Sequence, residues 1–441
     1  LTNLQQDAAG LAATTALSYD AVGNLLSVTD PESNTASYIY DLLSRRTQAI
    51  QPLGQSVSTF YTNRSQVDYV INARGHKIDY DYHPWGSLHT AKYYETGNAT
   101  TETRTLTYSY DSAGNIQSVA DDAIQNSPLY TYTYDAQNRP SQTKVGYFSA
   151  TTLNNAYDRY GNRSQLSVND GTTTVYSYTY NKLNQLDSAN LSGSPAQSFG
   201  FDYDLATGQL TRLTYPSGIT TAYQYQGNGF IKQLLTKNSD GTATLEQLDY
   251  HYDNVFNIDT ITSANDGAYN YGHDALGRLT SANYPATATL TDEGFQYDKF
   301  GNRSNTGYDY NSNNQINQSP SVTSYSFDSD GNMISKAGGF VYGYNKDSRL
   351  VTYTDINDSA NDATYQYDPF GSRISKTVNG QRTYFLWDGT KLLMEYNRSG
   401  VRQKRYAYLP GERAPVQMEK GTALYEIHRD HLQTALLLTD S

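Results

Sequence analysis

Cysteine is missing from the sequence altogether. That excludes disulfide bridges and thiolate-held metal, and leaves the redox compartment unreadable. Long hydrophobic runs are missing too. A membrane-spanning helix needs roughly 18 or more consecutive apolar residues, and none occurs, so no membrane span is expected. Basic clusters are absent. The formal net charge of −12 is spread along the chain, and nothing gathers the positive charge that neutralises phosphates. Nucleic acid is therefore not an expected partner. No Gly-x-Ser-x-Gly elbow, phosphate-binding Gly-Lys loop or dinucleotide fingerprint occurs, and no enzymatic activity is expected. Helix signals are scarce: the one candidate, near Leu432 to Leu438, is short and reads equally well as a strand. The chain opens on Leu1 with no charged segment followed by an apolar one, so its start is expected to be processed or truncated.

Hydrophobic residues are few as well. They make up 37% of the chain, below the roughly 45–50% apolar share of an ordinary globular domain. Tyrosine fills the gap, with 43 residues against 12 Phe and 2 Trp. Its ring supplies contact area while its hydroxyl reaches water or a polar partner.

The tyrosines are arranged in a repeat. The unit reads Tyr-Asp-x-x-Gly-Asn followed by Arg or Leu, with four good copies and two close variants, one led by Phe327 and one with Ser372 in place of Asn. They contain Asp20, Gly23 and Asn24; Asp111, Gly114 and Asn115; Asp158, Gly161, Asn162 and Arg163; Asp298, Gly301, Asn302 and Arg303; Asp328, Gly331 and Asn332; and Asp368, Gly371 and Arg373. A sister form lacks the Gly, as in Tyr40-Asp41 with Ser44-Arg45, Tyr134-Asp135 with Asn138-Arg139, and Tyr180-Asn181 with Asn184-Gln185. Tyr134, Tyr157, Tyr180 and Tyr203 follow one another at intervals of 23.

The unit is legible physically. Tyr130 to Tyr134 and Tyr176 to Tyr180 alternate Tyr with Thr or Ser, the period of a strand, in residues that favour strands. Asp then opens a turn, its carboxylate accepting backbone N–H groups two residues on. Gly and Asn are expected to supply the positive-φ positions of a tight hairpin. A second strand follows. The Arg after the turn is expected to stack on the tyrosine ladder and to pair with turn aspartates. One hairpin of this kind is unstable alone and must pack on its neighbours. The predicted fold is all-β: a continuous array of antiparallel hairpins forming a long twisted sheet, a shell or an open solenoid.

These residues resemble the Rhs/YD-repeat family, which includes Rhs polymorphic toxins, wall-associated toxins, the B and C components of insecticidal Tc complexes and the YD shell of teneurins. Residues 1–380 read as the repeat array. Residues 381–441 look like the beginning of the Rhs core, continuous with the array. There Trp387-Asp388-Gly389 through Tyr396 and Tyr406-Ala407-Tyr408-Leu409-Pro410-Gly411 resemble the family pattern. So does the run from Tyr425 through Asp430-His431-Leu432 to Asp440, with Gln433 and Ala435 standing where the family has Gly and Pro. The resemblance implies a hollow β-sheet cocoon around a toxin.

Candidate chemistry is thin beside this. The repeated aspartates are explained by turns, without a Ca²⁺ loop. His428 and His431 with Asp430 could ligate zinc, but positions three apart on a strand face opposite sides, so neither metal nor cofactor is expected. The sequons at Asn98, Asn162 and Asn302 are formal only, the last two belonging to the repeat. The expected function is a structural shell segment of a bacterial Rhs-type toxin or secreted effector, secreted or at the cell surface. Its partners would be further parts of the same polypeptide or other copies of the chain, and a toxin cargo. The rival readings are an extracellular adhesion module that binds cells or glycans, and a filament-forming protein. Neither end reads as a cap, so the chain is not expected to work as an isolated monomer.

Overall fold

The structure, a computed structural model, describes residues 2–6, 12–124, 128–147, 150–191 and 197–440. Among them run forty strands and a single 3₁₀ turn, Ser359–Asn361. Pairing is antiparallel in every register given, in sheets of 26 and 12 strands and one two-stranded pair. The segment Leu432 to Leu438, which reads equally as helix or strand, runs from a turn into the strand Ala435–Asp440, paired with Ala423–Arg429.

The strands form because residues alternate at period two. In Thr173–Tyr180, Thr174, Tyr176 and Tyr178 are buried while their neighbours are not. Thr151–Tyr157 and Ile231–Lys237 alternate in the same way. The hairpins closed by the Tyr-led turn carry a register shift at the residue entering it, such as the one between Ala156 and Tyr157, which sets Tyr157 opposite Arg163. A three-residue loop with a left-handed last residue produces this bulge and matches the twist of the flanking strands.

The chain divides into two compact units, each assembled from separate stretches. The first comprises Leu1–Leu129, Asp274–Thr280 and Gly294–Gln381. Its core gathers Ala91, Tyr93 and Leu106, with Ile78, Tyr80 and Tyr108 packed on them. Within this unit, loops of the early hairpins meet turns of the later ones. Asn314 donates to Asp30 at 2.9 Å, Arg74 Nε to Asp330 at 2.5 Å, and Arg104 pairs with both Asp121 and Asp347. The second unit comprises Tyr130–His273, Ser281–Glu293 and Arg382–Ser441. Leu234, Leu248 and Tyr250 form one cluster there, and Phe199, Leu213, Tyr215, Leu386 and Met394 are also buried. Tyrosine supplies much of the buried ring area, each ring contributing on the order of 150–250 Å² to a core.

Candidate functional site

The repeated turn is the dominant local construction. In the copy at Tyr157, Asp158 N–H donates to the Asn162 carbonyl at 2.9 Å and Gly161 N–H to the Asp158 carbonyl at 3.1 Å. Asp158 Oδ1 accepts the N–H groups of Tyr160 and Asn162 at 2.8 and 2.9 Å, and Oδ2 accepts the Asn162 amide at 2.9 Å. The set recurs at Asp20 and Asp111. Asp298 accepts from Gly301 and Asn302, Asp328 from Asn332, and Asp368 from Phe370 and Ser372. The hydrogen bonds lower the pKa values of Asp20, Asp111 and Asp158, the side-chain amides of Asn24, Asn115 and Asn162 being the largest cause. In the sister form the guanidinium replaces the amide: Arg45 Nε donates to Asp41 at 2.7 Å and Arg139 Nε to Asp135 at 2.7 Å.

The glycines at 23, 114, 161, 301, 331 and 371 all have φ between +85° and +109°. The asparagines that follow them do not share that conformation, contrary to expectation. Asn24, Asn115, Asn162, Asn302 and Asn332 act through their side chains, by closing onto the aspartate. A non-glycine residue takes the left-handed position only where Gly is missing, as at Ser44, Asn138, Asn184 and Ser348. Gln433, standing where the family has Gly, adopts φ +68°. The departure therefore keeps the turn and adds strain to it.

Tyrosine does more than fill the sheet. The hydroxyl of Tyr180 donates to the Arg163 carbonyl at 3.2 Å, that of Tyr203 to Leu186 at 2.9 Å, that of Tyr225 to Leu210 at 2.9 Å, and that of Tyr252 to Ile231 at 2.9 Å. Each acceptor is the residue that pairs with the preceding tyrosine across its own turn: Tyr157 with Arg163, Tyr180 with Leu186, Tyr203 with Leu210, Tyr225 with Ile231. Each of these four hairpins is thus fastened to the one before it. The first unit repeats the device at Tyr61, Tyr82 and Tyr110, which reach Arg46, Val67 and Leu88. Sequence reasoning missed this. The available signal was tyrosine rather than phenylalanine at the regular spacing, including copies such as Tyr61-Thr62 and Tyr82-His83 that lack the aspartate.

The arginines divide by position. Those of the sister form stack on the next tyrosine as well as pairing with the turn: Arg45 lies 4.6 Å from the Tyr61 ring centroid and Arg139 4.2 Å from that of Tyr157. Arg303 lies over Phe295 and Arg373 over Tyr365. Arg163 departs from the expectation. It grips Asp388 through both terminal nitrogens rather than its own turn aspartate. Position explains this: Arg163 opens the strand Arg163–Asn169, and its side chain reaches Asp388, the last residue of Gln381–Asp388.

His428 and His431 are not brought together as ligands. His428 lies in Ala423–Arg429, bonded to Thr439 and 4.2 Å from the Tyr215 ring. His431 sits in the following turn against Tyr250. Among the described residues no group of three or more His, Cys, Asp or Glu could hold a metal.

The second unit also contains a cavity of about 520 Å³. Tyr176, Tyr178 and Tyr180 line one side, Asp388, Lys391 and Tyr408 another, with Asn162 and Arg163 at its edge.

Comparison with known proteins accords with this construction. The Teneurin YD-shell profile matches residues 98–250 and 241–440, and the RHS Repeat profile matches residues 19–56. The tRNA3(Ser)-specific nuclease WapA of Bacillus spizizenii is 28% identical over 246 residues, covering 53% of this chain and 10% of the relative. The probable deoxyribonuclease RhsB of Dickeya dadantii is 25% identical over 276 residues, covering 54% of this chain and 19% of the relative. The crystal structure of TcdB2-TccC3 superposes with a TM-score of 0.79 at 16% identity, over 97% of this chain and 26% of that one. A Photorhabdus luminescens Tc holotoxin pore gives 0.74 at 15% identity, over 97% and 25%. The chain therefore spans between a tenth and about a quarter of the length of these proteins, and its fold is that of the solved shells.

Proposed function

The chain belongs to the Teneurin YD-shell family, and on that premise we propose that it is a wall segment of a bacterial toxin shell, secreted or displayed at the cell surface, that encloses a cargo carried elsewhere in the same polypeptide or assembly. The observation that carries this reading is the tyrosine fastening. Consecutive hairpins are tied hydroxyl to carbonyl, from Tyr157 through Tyr252 in one unit and from Tyr61 through Tyr110 in the other. A sheet tied at each step keeps neighbouring strands in register and leaves few openings, which is what a wall requires. The chemistry-bearing side chains of the repeat, Asp, Asn and Arg, are already engaged in holding turns or pairing strands. The nuclease names of the relatives refer to proteins five to ten times longer than the matched stretch, and catalysis is assigned here to what the wall encloses.

The test is protease protection in the full natural gene product. The cargo should resist proteolysis in the intact protein and become sensitive when the shell is opened by denaturant or when the cargo is expressed alone. Equal digestion of the cargo in both contexts would overturn the reading.

A further inference from the structure

The cavity of the second unit has a surplus of hydrogen-bond donors and of positive charge. Both oxygens of Asp388, the one carboxylate among its lining residues, are taken by Arg163. Lys391 faces the same space. Its ammonium donates once, to the Leu409 carbonyl at 3.0 Å, and lies 5.6 Å from the Tyr408 ring. It has no carboxylate within salt-bridge distance, and two of its three donors are not taken up by the hydrogen bond to Leu409. Burial lowers the pKa of Lys391, and the carboxylates of Asp388 and Glu412, acting from beyond contact, oppose that only in part.

The rest of the lining supplies flat faces and hydroxyls. Tyr180 and Tyr408 are half-buried at the cavity, and Thr390 lies at its exposed margin. A pocket of about 520 Å³ is of the size that takes a small ligand, within the usual range of roughly 300–1,000 Å³. Aromatic faces beside polar hydroxyls suit a sugar ring, and an ammonium without a contacting carboxylate suits a carboxylate on that ring.

We propose that this cavity is a binding site for an acidic sugar, a hexuronate unit whose carboxylate meets Lys391 and whose ring lies against Tyr180 and Tyr408. The carboxylate supplies the direct ion pair that Asp388, bound through both oxygens to Arg163, does not make with Lys391. Free hexuronate and the same unit in an acidic polysaccharide present identical chemistry to the pocket. An acidic peptide could satisfy Lys391 but has no ring to present to the tyrosines.

Calorimetric titration of the full natural gene product with methyl glucuronoside, methyl glucoside, inorganic phosphate and a short glutamate-containing peptide tests this. The glucuronoside should bind, and the glucoside should bind at least about tenfold more weakly, the loss expected for one charge-assisted hydrogen bond. Lys391→Met should abolish that preference and Lys391→Arg should restore it. Both variants would be checked for an unchanged far-ultraviolet dichroism spectrum and for retained Tyr203-to-Leu186 strand protection by hydrogen exchange. Tyr408→Leu, which leaves the ammonium in place, should weaken both sugars. If Lys391→Met does not fold, the Tyr408→Leu result alone decides. A polyuronate that binds with higher avidity than the monosaccharide would identify the polymer as the source, and equal affinity per unit the free sugar. No binding of the glucuronoside, equal binding of the glucoside, or tighter binding of phosphate or of the peptide would overturn the proposal.

Discussion

At the scale of single residues, the turn depends on one backbone conformation and one carboxylate. Gly161 has φ +95°, and a Cβ built on it meets no atom closer than 3.8 Å, the Arg139 guanidinium. Space is therefore not the obstacle; conformation is. Gly161→Val should cost about 1–2 kcal/mol through left-handed backbone strain, more than Gly161→Asn, by denaturant unfolding. His428 is a second sensitive residue. It is buried, 2% exposed, and loss of water lowers its pKa from 6.5 to about 4. Because the folded-state value lies below the unfolded one, the unfolded chain takes up the proton first. His428 therefore destabilises the fold progressively as the pH falls from about 6.5 towards 4, and has no such effect above that range. Glu426, on the same strand, has its pKa raised by burial, with opposing hydrogen bonds from Ser217, and works in the opposite sense. The comparison of the parent with His428→Gln isolates the histidine. The variant's unfolding midpoint should fall less than the parent's between pH 6.5 and 4.

At the scale of the hairpin, the fastening hydroxyl is the feature to remove. Tyr203→Phe keeps the ring and leaves the Leu186 carbonyl without its side-chain donor. A net loss of about 1 kcal/mol is expected, the ordinary worth of such a bond. The position of that loss matters more than its size. A repeat array behaves as a line of nearest-neighbour contacts, so amide exchange should quicken in Leu186–Leu191 and Leu210–Thr214 and stay unchanged in Ile258–Ser263, two hairpins on. Uniform quickening across the unit would show that the hairpins do not act as separate steps. The hairpins themselves were legible in the sequence, because Asp, Gly and Asn at fixed offsets encode the turn locally. The fastening was not, because its acceptor is a backbone carbonyl, which every residue carries and no side chain advertises.

At the scale of the molecule, the sequence says much about what the pieces are and little about which pieces meet. Nothing in Arg163 points to Asp388, which lies 225 residues away, and nothing in Asn314 points to Asp30, 284 residues away. Local periodicity cannot encode such partners, because every repeat offers nearly the same turn. The division into units is hidden for the same reason: hairpins of similar sequence are shared between the unit that contains Ala91 and Leu106 and the unit that contains Leu234 and Leu248. The direction of the tyrosine bonds, by contrast, is uniform. Each hydroxyl given for the ladder reaches a carbonyl earlier in the chain, never a later one. During translation, a hairpin leaving the ribosome thus finds its docking edge already made. At roughly 5–20 residues per second, a new repeat arrives every few seconds, far longer than the microseconds a hairpin takes to close. Assembly of neighbouring hairpins can then follow the order of synthesis like a ratchet, each tooth catching on the one behind it, while the pairings with distant turns, such as that of Arg163 with Asp388, close only when the later strands arrive.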